Sequence, residues 1–366
     1  MFNAFDYRCM SRALQLAKRG LYTAHPNPRV GCVIALDQQI IAEGWHRKAG
    51  SAHAELDAVN NSRQALEGGT AYVTLEPCSH HGKTPPCADL LIEQKVSRVV
   101  LAMQDPNPLV SGNGIQKLRD AGIQVESGLL EEQALALNPG FVSRMSRGRP
   151  WVRVKLAMSL DGRTALASGE SRWITNESSR ADVHRWRAQS DCILTGSNTV
   201  LFDDPALTVR YRDQLDINWP DFNDPLRAVI DSKGRTLKDA QVFNAAAQTV
   251  FFSLKDHGYS CESIVIESDE ADGEHLSLKA VLEALAEKAI NEVHVEAGAS
   301  LCGALLQHRL VDEVLLYQAP IVLGPDGKGI FDISSLTSMS DRVVFRVVDT
   351  RHIGDNLRKL KKPNVS

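Results

Sequence analysis

The sequence has no long apolar run, no surplus of basic residues and few aromatic side chains. No stretch approaches the roughly 20 apolar residues that a membrane span needs. Lysine and arginine number 41 against 45 aspartates and glutamates, a net charge of −4, and aromatic residues make up 6% of the chain. Proteins whose main work is gripping a nucleic-acid backbone usually carry a basic excess. These absences count against a membrane protein and against nucleic acid as the main partner, but leave small phosphorylated substrates open.

The chain also lacks the pattern of a signal peptide. Residues 6–20 mix basic with apolar side chains, as an amphipathic helix does, and no apolar block follows a charged region. We therefore expect a cytoplasmic protein. There are seven cysteines, of which five stand mostly among apolar neighbours and are expected to be buried, inert thiols: Cys9, Cys32, Cys192, Cys261 and Cys302.

A change of texture near residue 147 predicts two domains in the 366 residues. Residues 6–138 alternate helix and strand patterns, which favours a sheet with helices on both faces. The polar, basic segment 143–150 is broken by Gly148 and Pro150, and we place the boundary there, with domains at 1–146 and 147–366. The alternative is a surface loop within one domain. A second series of strand and helix patterns follows, and residues 361–364 are expected to form a loose tail.

The strongest functional pattern is His53-Ala-Glu55 at the start of a helix, followed by Cys78 after a strand and then by Cys87. One imidazole and two thiolates make a three-ligand zinc site with a fourth position open, which is typical of catalytic zinc. Glu55, on the first turn of the helix, is placed to move protons without being a ligand. This is the pattern of the zinc deaminases, His-x-Glu with a later Pro-Cys-x-x-Cys. It predicts hydrolytic removal of an amine from an amino-pyrimidine or related ring.

The cysteine spacing departs from that pattern. Cys78 and Cys87 are nine positions apart rather than three, so the intervening residues must loop out, and His80 or His81 is an alternative ligand to Cys87. Two other readings share part of the pattern. A nucleic-acid-editing deaminase would be expected to have the shorter spacing and a basic, aromatic surface. A non-catalytic zinc-stabilised binding protein would have a filled fourth position and no need of Glu55.

The second half is less legible from its residues alone. It has no G-x-G-x-x-G fingerprint, so a Rossmann domain is not expected. Residues 293–303 read as a strand, a turn of small residues and a helix, and exposed amides at a helix N-terminus can hold a phosphate. Many α/β crossovers turn on small residues, so an ordinary crossover fits this pattern equally well.

Motifs along nearly the whole chain resemble, in order, the bifunctional riboflavin-biosynthesis deaminase/reductase family. They are residues 27–31 (NPRVG), 53–55, 77–87 with the long insert, 155–163 (KLAMSLDGR), 168–175, 203–210 and 296–298. The resemblance implies a cytidine-deaminase-like α/β/α sandwich followed by a dihydrofolate-reductase-like α/β domain. The first would use zinc to deaminate 2,5-diamino-6-ribosylamino-4(3H)-pyrimidinone 5′-phosphate. The second would use NADPH to reduce the ribosyl group of 5-amino-6-(5-phosphoribosylamino)uracil to ribityl.

The same resemblance implies site residues. In the deaminase half the zinc ligands would be His53, Cys78 and Cys87, and the substrate contacts Asn27, His46, His80 and Lys83. In the reductase half the NADPH contacts would be Ala157, Trp173, Thr199, Asp203, Ser232 and Gly298, and the substrate contacts Ser171, Arg187, Leu207, Arg210 and Glu296. Lys155 and Asp161 flank a strand end and are predicted to be catalytic, near the carbon that is reduced. We also expect a homo-oligomer, and residues 311–322 are apolar enough for a central strand or an interface.

Overall fold

The structure, a computed structural model, describes residues 1–79, 85–108, 110–211, 213, 219–268 and 273–364. The chain divides into two units, one of residues 1–148 with a short segment around Asp221, and one that begins at Arg149. No helix in the described ranges is long and apolar enough to cross a membrane.

The first unit is built on a five-stranded sheet of order β2-β1-β3-β4-β5. Its strands are β1 (Gly31–Leu36), β2 (Gln39–Trp45), β3 (Thr70–Val73), β4 (Arg98–Leu101) and β5 (Gln124–Ser127). The β1–β2 hairpin turns at Asp37 and Gln38, whose φ angles of +48° and +60° match the twist of antiparallel strands. Strand β3 pairs antiparallel with β1, and β3, β4 and β5 run parallel.

In the described part of this unit, six helices cover the two faces of the sheet: α1 (Ala4–Ala17), α2 (Ala54–Asn61), α3 (Cys87–Glu93), α4 (Asn113–Asp120), α5 (Glu131–Leu137) and α6 (Pro139–Arg147). The buried side chains of α2, α3 and α4 form one core, and those of α1 and α5 form the other. The predicted α/β/α sandwich is confirmed. Residues 143–147, read from the sequence as part of a linker, belong instead to α6, which ends at Gly148 with φ +67°. Basic side chains in a last helical turn are favourable, so their charge was not a sign of a loop.

The second unit is built on a nine-stranded sheet of order β11-β10-β9-β8-β12-β6-β13-β16-β15. Its strands are β6 (Trp151–Met158), β8 (Cys192–Gly196), β9 (Leu226–Ile230), β10 (Thr249–Ser253), β11 (Glu262–Val265), β12 (Glu292–Val295), β13 (Glu313–Gln318), β15 (Phe345–Ile353) and β16 (Asn356–Pro363), while β7 (Arg163–Ala165) pairs with β14 (Lys328–Gly329). Neighbours from β11 to β13 are parallel, and β16 and β15 continue antiparallel. Its helices are α7 (Glu177–Gln189), α8 (Ser197–Asp203), α9 (Leu278–Glu287) and α10 (Ala299–Gln307).

Strand pairing answers an open question about residues 311–322 and corrects the expectation for residues 361–364. Strand β13 lies between β6 and β16, so it is a central strand rather than an exposed interface. The expected loose tail is wrong, because Lys361 to Pro363 are part of β16, where Lys361 pairs with Val314 on one side and Val347 on the other. Pairing with two partner strands outweighs the polar composition of this segment.

A buried ion triad links three neighbouring strands of the second sheet. Arg153 on β6 donates from Nε to Glu313 on β13 at 2.6 Å and from Nη2 to Glu292 on β12 at 3.2 Å. All three side chains are almost fully buried. The guanidinium also lies over the ring of Trp186 on α7, 4.5 Å from its centroid. The triad thus places opposite charges side by side across three adjacent strands.

Candidate active sites

Three side chains of the first unit converge as a possible metal centre. His53 Nδ1 lies 3.6 Å from Cys78 Sγ and 3.3 Å from Cys87 Sγ, and all three donor atoms lie within 4.8 Å of one another. Tetrahedral zinc with ordinary Zn–N and Zn–S bonds would hold such atoms about 3.5 Å apart. The donor set and its spacing therefore fit zinc without rearrangement. The structure brings Cys87 to this cluster, as predicted, while the alternative ligands His80 and His81 lie outside the described residues.

Glu55 stands beside this cluster and is only 3% exposed. Glu55 lies in the first turn of helix α2, which begins directly after His53. Gly44 allows strand β2 and helix α2 to pack closely, since a Cβ on Gly44 would lie 2.2 Å from the amide nitrogen of Ala58. Burial, with a further contribution from the charge of Cys78, raises the pKa of Glu55 to about 7. A carboxyl group with such a pKa can both accept and release a proton near neutral pH.

Asn27 is held in one orientation by His46. The Nδ1 of His46 lies 3.0 Å from the carbonyl oxygen of Ala52, so it must donate, and its Nε2 then accepts from Asn27 Nδ2 at 3.0 Å. This fixes which end of the Asn27 amide is the donor. Among the described residues no hydrogen bond reaches Asn27 Oδ1, which remains available as an acceptor. His46 is 3% exposed and lies behind Asn27, with both nitrogens already bonded.

Glu76, directly before Pro77 and Cys78, anchors the adjoining loop and helix. Its Oε2 accepts from the backbone amides of Asp105 (3.1 Å) and Gly112 (3.0 Å). Its Oε1 accepts from those of Gly114 (2.9 Å) and Ile115 (3.2 Å), at the start of α4. The sequence analysis did not single out Glu76; a lone acidic residue before the Pro-Cys pair was the only signal.

In the second unit, predicted site residues gather at the carboxyl ends of parallel strands, where open α/β sheets bind ligands. Val154 on β6 pairs with Val295 on β12, so the next positions, Lys155 and Glu296, are neighbours on one face of the sheet. Burial lowers the pKa of Lys155, while Glu296 opposes this and Arg187 adds to it. The sheet register therefore places an amine next to a carboxylate.

Arg187 is committed to Glu296. Its Nε and Nη2 donate to the two carboxylate oxygens at 2.5 and 2.9 Å, and its Nη1 donates to the carbonyl oxygen of Thr208 at 2.8 Å. Although burial opposes it, this ion pair holds the pKa of Glu296 well below its usual range. The pair is a fixed negative and positive group at the strand ends, and all three donating nitrogens of Arg187 are occupied.

A cavity of ≈ 450 Å³ lies beside these strand ends and brings together three of the six predicted cofactor residues: Thr199, Ser232 and Gly298. Gly298 is the N-cap of α10, which has no side-chain cap and no acidic residue in its first turn. Lys233 and Arg235 also line the cavity. The sequence analysis missed this pair, although the run Ser-Lys-Gly-Arg after a buried strand could have drawn attention to it.

The other predicted reductase residues are more dispersed. Trp173 is 69% exposed, and Ala157, Ser171 and Asp203 do not line the cavity; Arg172 Nη2 donates to Asp203 Oδ1 at 3.1 Å. Asp161 accepts from the amides of Leu323 and Gly324 at 3.1 and 2.9 Å and from Ser159 Oγ, so it ties two loops together. Leu207 is buried and Arg210 is exposed. His80 and Lys83 lie outside the described residues.

Comparison with known proteins identifies a family for each half of the chain. The family described as the RibD C-terminal domain matches residues 150–358, and the cytidine and deoxycytidylate deaminase zinc-binding region matches residues 4–103. The riboflavin biosynthesis protein RibD of Escherichia coli is 47% identical, with 96% of this chain and 98% of that protein covered.

Solved structures agree over the full length. RibD of Acinetobacter baumannii superimposes with a TM-score of 0.92 at 41% identity, covering 99% of both chains. A diaminohydroxyphosphoribosylaminopyrimidine deaminase/5-amino-6-(5-phosphoribosylamino)uracil reductase of Thermotoga maritima gives 0.87 at 36% identity, covering 98% of this chain and 99% of the other. The chain therefore belongs to the RibD family of riboflavin-biosynthesis enzymes, which join a zinc-dependent deaminase domain to an NADPH-dependent reductase domain.

Proposed function

We propose that the first unit removes the 2-amino group of 2,5-diamino-6-ribosylamino-4(3H)-pyrimidinone 5′-phosphate and that the second reduces the ribosyl group of the product to ribityl. The observation that carries the proposal is the triangle of His53, Cys78 and Cys87, already spaced for zinc and with Glu55 beside it. The Thermotoga maritima relative is named for the same two activities. We further propose that the activities divide at the predicted boundary, with residues 1–146 and 147–366.

In deamination, Glu55 is the proton carrier. Zinc, when bound by His53, Cys78 and Cys87, supplies a Lewis acid that makes water a nucleophile near neutral pH. Glu55 takes one proton from the attacking water and gives it to the ring nitrogen. It then takes the second proton, from the hydroxyl group now on the ring carbon, and gives it to the amine, which leaves as ammonia while the hydroxyl becomes a carbonyl. A raised pKa helps a carboxyl group to hold a proton between taking it and giving it away, and burial raises the pKa of Glu55.

Asn27 reads the pyrimidine in this scheme. His46 holds the amide so that Oδ1 faces away from it, and an acceptor in that place suits an amino group or a ring N–H of the substrate. His46 acts through Asn27 rather than by touching the substrate, because both its nitrogens are already bonded. Lys83 remains our predicted contact for the 5′-phosphate and His80 a further predicted contact.

In reduction, Lys155 is the group we assign to proton delivery. NADPH supplies the hydride, so the protein has to position the opened ribosylamine, exclude water and protonate its nitrogen. Lys155 lies beside Glu296, and burial lowers its pKa, which makes an ammonium group a better acid. The Arg187–Glu296 pair holds the carboxylate still, so that it can bind sugar hydroxyls. Asp161 keeps the loops after β6 and β13 together.

The cavity between Gly298 and Ser232 suits the phosphate-bearing part of NADPH. Uncapped amides at the start of α10 can bind the pyrophosphate. Arg235, which lines the same cavity, supplies positive charge for a 2′-phosphate, as arginine does in other NADPH sites. Lys233 also lines the cavity and is paired with Glu274 at 2.8 Å. Thr199 lines the same cavity. Ala157, Trp173 and Asp203 remain predicted contacts of the nicotinamide end, and Ser171, Leu207 and Arg210 of the substrate.

We also propose a cytoplasmic homo-oligomer. None of the seven cysteines forms a disulfide, which fits a reducing compartment. The outer edge strand of the nine-stranded sheet, β15, carries the exposed side chains of Val347 and Val348, and Val343 and Val344 just before it are also exposed. An unpaired sheet edge can pair with the same edge of a second copy. Light scattering coupled to size exclusion would give the mass, and Val347→Lys should reduce it if this edge is the contact.

The test is a two-step assay with crossed variants. The purified protein is given the ribosylaminopyrimidine 5′-phosphate and zinc, ammonia release is followed, and NADPH is then added and its absorbance read. Glu55→Gln should lower the rate of ammonia release about a hundredfold or more and should still oxidise NADPH when deaminated substrate is supplied. Lys155→Met should do the reverse. Ammonia release without NADPH oxidation in the wild type would refute the reductase assignment, and near-normal deamination by Glu55→Gln would refute the role of Glu55.

A further inference from the structure

The short segment 207–211, which carries Leu207 and Arg210, is held by two side chains of α7. Arg187 Nη1 donates to the carbonyl oxygen of Thr208 at 2.8 Å. His184 Nδ1 accepts from the backbone amide of Arg210 at 2.9 Å. Since His184 and Arg187 are three residues apart, they lie on the same face of the helix. One helix face therefore fixes a carbonyl and an amide of the same segment.

Other contacts complete this fixation. Asp224 Oδ1 accepts from the amide of Val209 at 2.8 Å, and the buried side chain of Leu207 packs in a core with Val229 and Phe251. Leu207 and Tyr211 have φ angles of +49° and +55°, in the left-handed region that side-chain residues seldom adopt. A backbone of this kind persists only where its surroundings determine it, so its anchors matter.

The side chain of Arg210 takes no part in these contacts and is available to bind a ligand. It is exposed, and within the described ranges its guanidinium takes part in no hydrogen bond or ion pair. Its backbone, in contrast, is tied to His184. A planar guanidinium on a fixed backbone is well suited to bind a phosphate through two hydrogen bonds.

His184 is able to serve as a permanent acceptor. It is 3% exposed, and its ring lies 5.1 Å from that of Tyr211. An amide can only donate, so Nδ1 must carry no proton. Burial and Arg187 lower the pKa of His184, Glu296 opposes them, and Arg210 and His294 lower it further, to about 3. The ring therefore stays neutral, with Nδ1 as an acceptor, over the whole working range of pH.

We propose that His184 is a positioning residue of the reductase half: by accepting the Arg210 amide, it sets the backbone from which the Arg210 guanidinium binds the 5′-phosphate of the substrate. The inference rests on the proposed function, in which Arg210 is a substrate contact. It adds a residue that touches neither substrate nor cofactor and that acts through the segment 207–211.

The experiment compares His184→Leu, which removes the acceptor, with His184→Asn, whose Oδ1 can take the place of Nδ1, and with Arg210→Met. KM and kcat for reduction are measured with the phosphorylated ribosylaminouracil and with its dephosphorylated form. KM for NADPH and the rates with the dephosphorylated substrate report whether the reductase unit of each variant folds, and ammonia release by the same preparations reports that the other unit is intact.

We expect His184→Leu to raise KM for the phosphorylated substrate about tenfold, the effect of one lost hydrogen bond, with kcat changed less than about threefold. His184→Asn should recover most of the loss. With the dephosphorylated substrate, KM should be the same for His184→Leu and the wild type. Adding His184→Leu to Arg210→Met should raise KM little further, since substitutions at coupled residues are not additive.

Two results would overturn the inference separately from the proposed function. If Arg210→Met raises KM for the phosphorylated substrate but His184→Leu does not, or if His184→Leu loses as much with the dephosphorylated substrate, His184 is only a packing residue. If Arg210→Met itself leaves KM unchanged, Arg210 is not the substrate contact that the proposed function assigns, and the role of His184 fails with it.

Discussion

Replacing Glu76 by glutamine should destabilise the deaminase unit selectively. The carboxylate accepts four backbone hydrogen bonds, two on each oxygen. In Glu76→Gln one oxygen becomes an NH₂ group, which faces two amide donors and can accept from neither. Hydrogen bonds to a charged group contribute about 1.5–3 kcal/mol each. Losing two, and weakening the other two by removing the charge, should cost about 3–5 kcal/mol.

That cost is a large part of the 5–15 kcal/mol that keeps a typical domain folded. For a unit of this size it corresponds to a fall in melting temperature of about 10 °C. Because Pro77 and Cys78 follow Glu76 directly, zinc affinity should fall as well. The assay is thermal unfolding with zinc content measured on the same sample, and with NADPH oxidation on supplied deaminated substrate as the control for the second unit.

Glu76→Ala serves as a matched control, since it removes all four bonds and should cost at least as much as Glu76→Gln. A Glu76→Gln protein with wild-type melting temperature and full zinc content would refute the reasoning. So would an equal loss of reductase activity, since the bonds of Glu76 lie entirely within the first unit.

Three further changes test other parts of the molecule. Cys87→Ser should lower zinc content and abolish deamination while reduction persists, and a chelator should have the same effect on the wild type; unchanged zinc content would exclude Cys87 as a ligand. Although burial opposes it, hydrogen bonding by Arg98 lowers the pKa of Asp6 to about 2, so about 1–2 kcal/mol of unfolding free energy, present above pH ~4, should be lost as pH falls from ~4 to ~2. Urea unfolding should show a shallower dependence of stability on pH in Asp6→Asn than in the wild type, because other carboxylates, such as Glu296, also have lowered pKa values; equal slopes would contradict the prediction. Arg235→Ala should raise KM for NADPH about tenfold or more and leave KM for NADH nearly unchanged. An equal rise in both KM values would show that Arg235 does not bind the 2′-phosphate.

The layered core of both units was accessible from the sequence because buried strands and amphipathic helices carry the hydrophobic periods of their structures. The terminal hairpin was not. Strands β15 and β16 are rich in charged side chains, and the segment at Lys361 reads as a tail until its pairing with Val314 is known. Helix α6 was missed for a similar reason, since its basic last turn resembles a linker.

The zinc cluster could be predicted because metal chemistry restricts the ligand types and their order along the chain. The rest of the site depends on partners that composition does not reveal. Glu76 acts on amides 29 to 39 residues away, and amides have no sequence signal. Arg187 was expected only as a contact of the substrate, yet its guanidinium donates to Glu296 and to the carbonyl oxygen of Thr208.

The triad of Arg153, Glu292 and Glu313 has a consequence for how this chain can evolve. Loss of Arg153 leaves two buried carboxylates without their partner, at about 3–5 kcal/mol, and loss of either glutamate leaves buried N–H groups of the guanidinium without an acceptor. Exchange of the whole set for well-packed apolar residues, in contrast, is often neutral or stabilising. Drift through single substitutions is therefore blocked at three positions that lie up to 160 residues apart in the chain. Among descendants of this sequence these positions should be inherited together or replaced together.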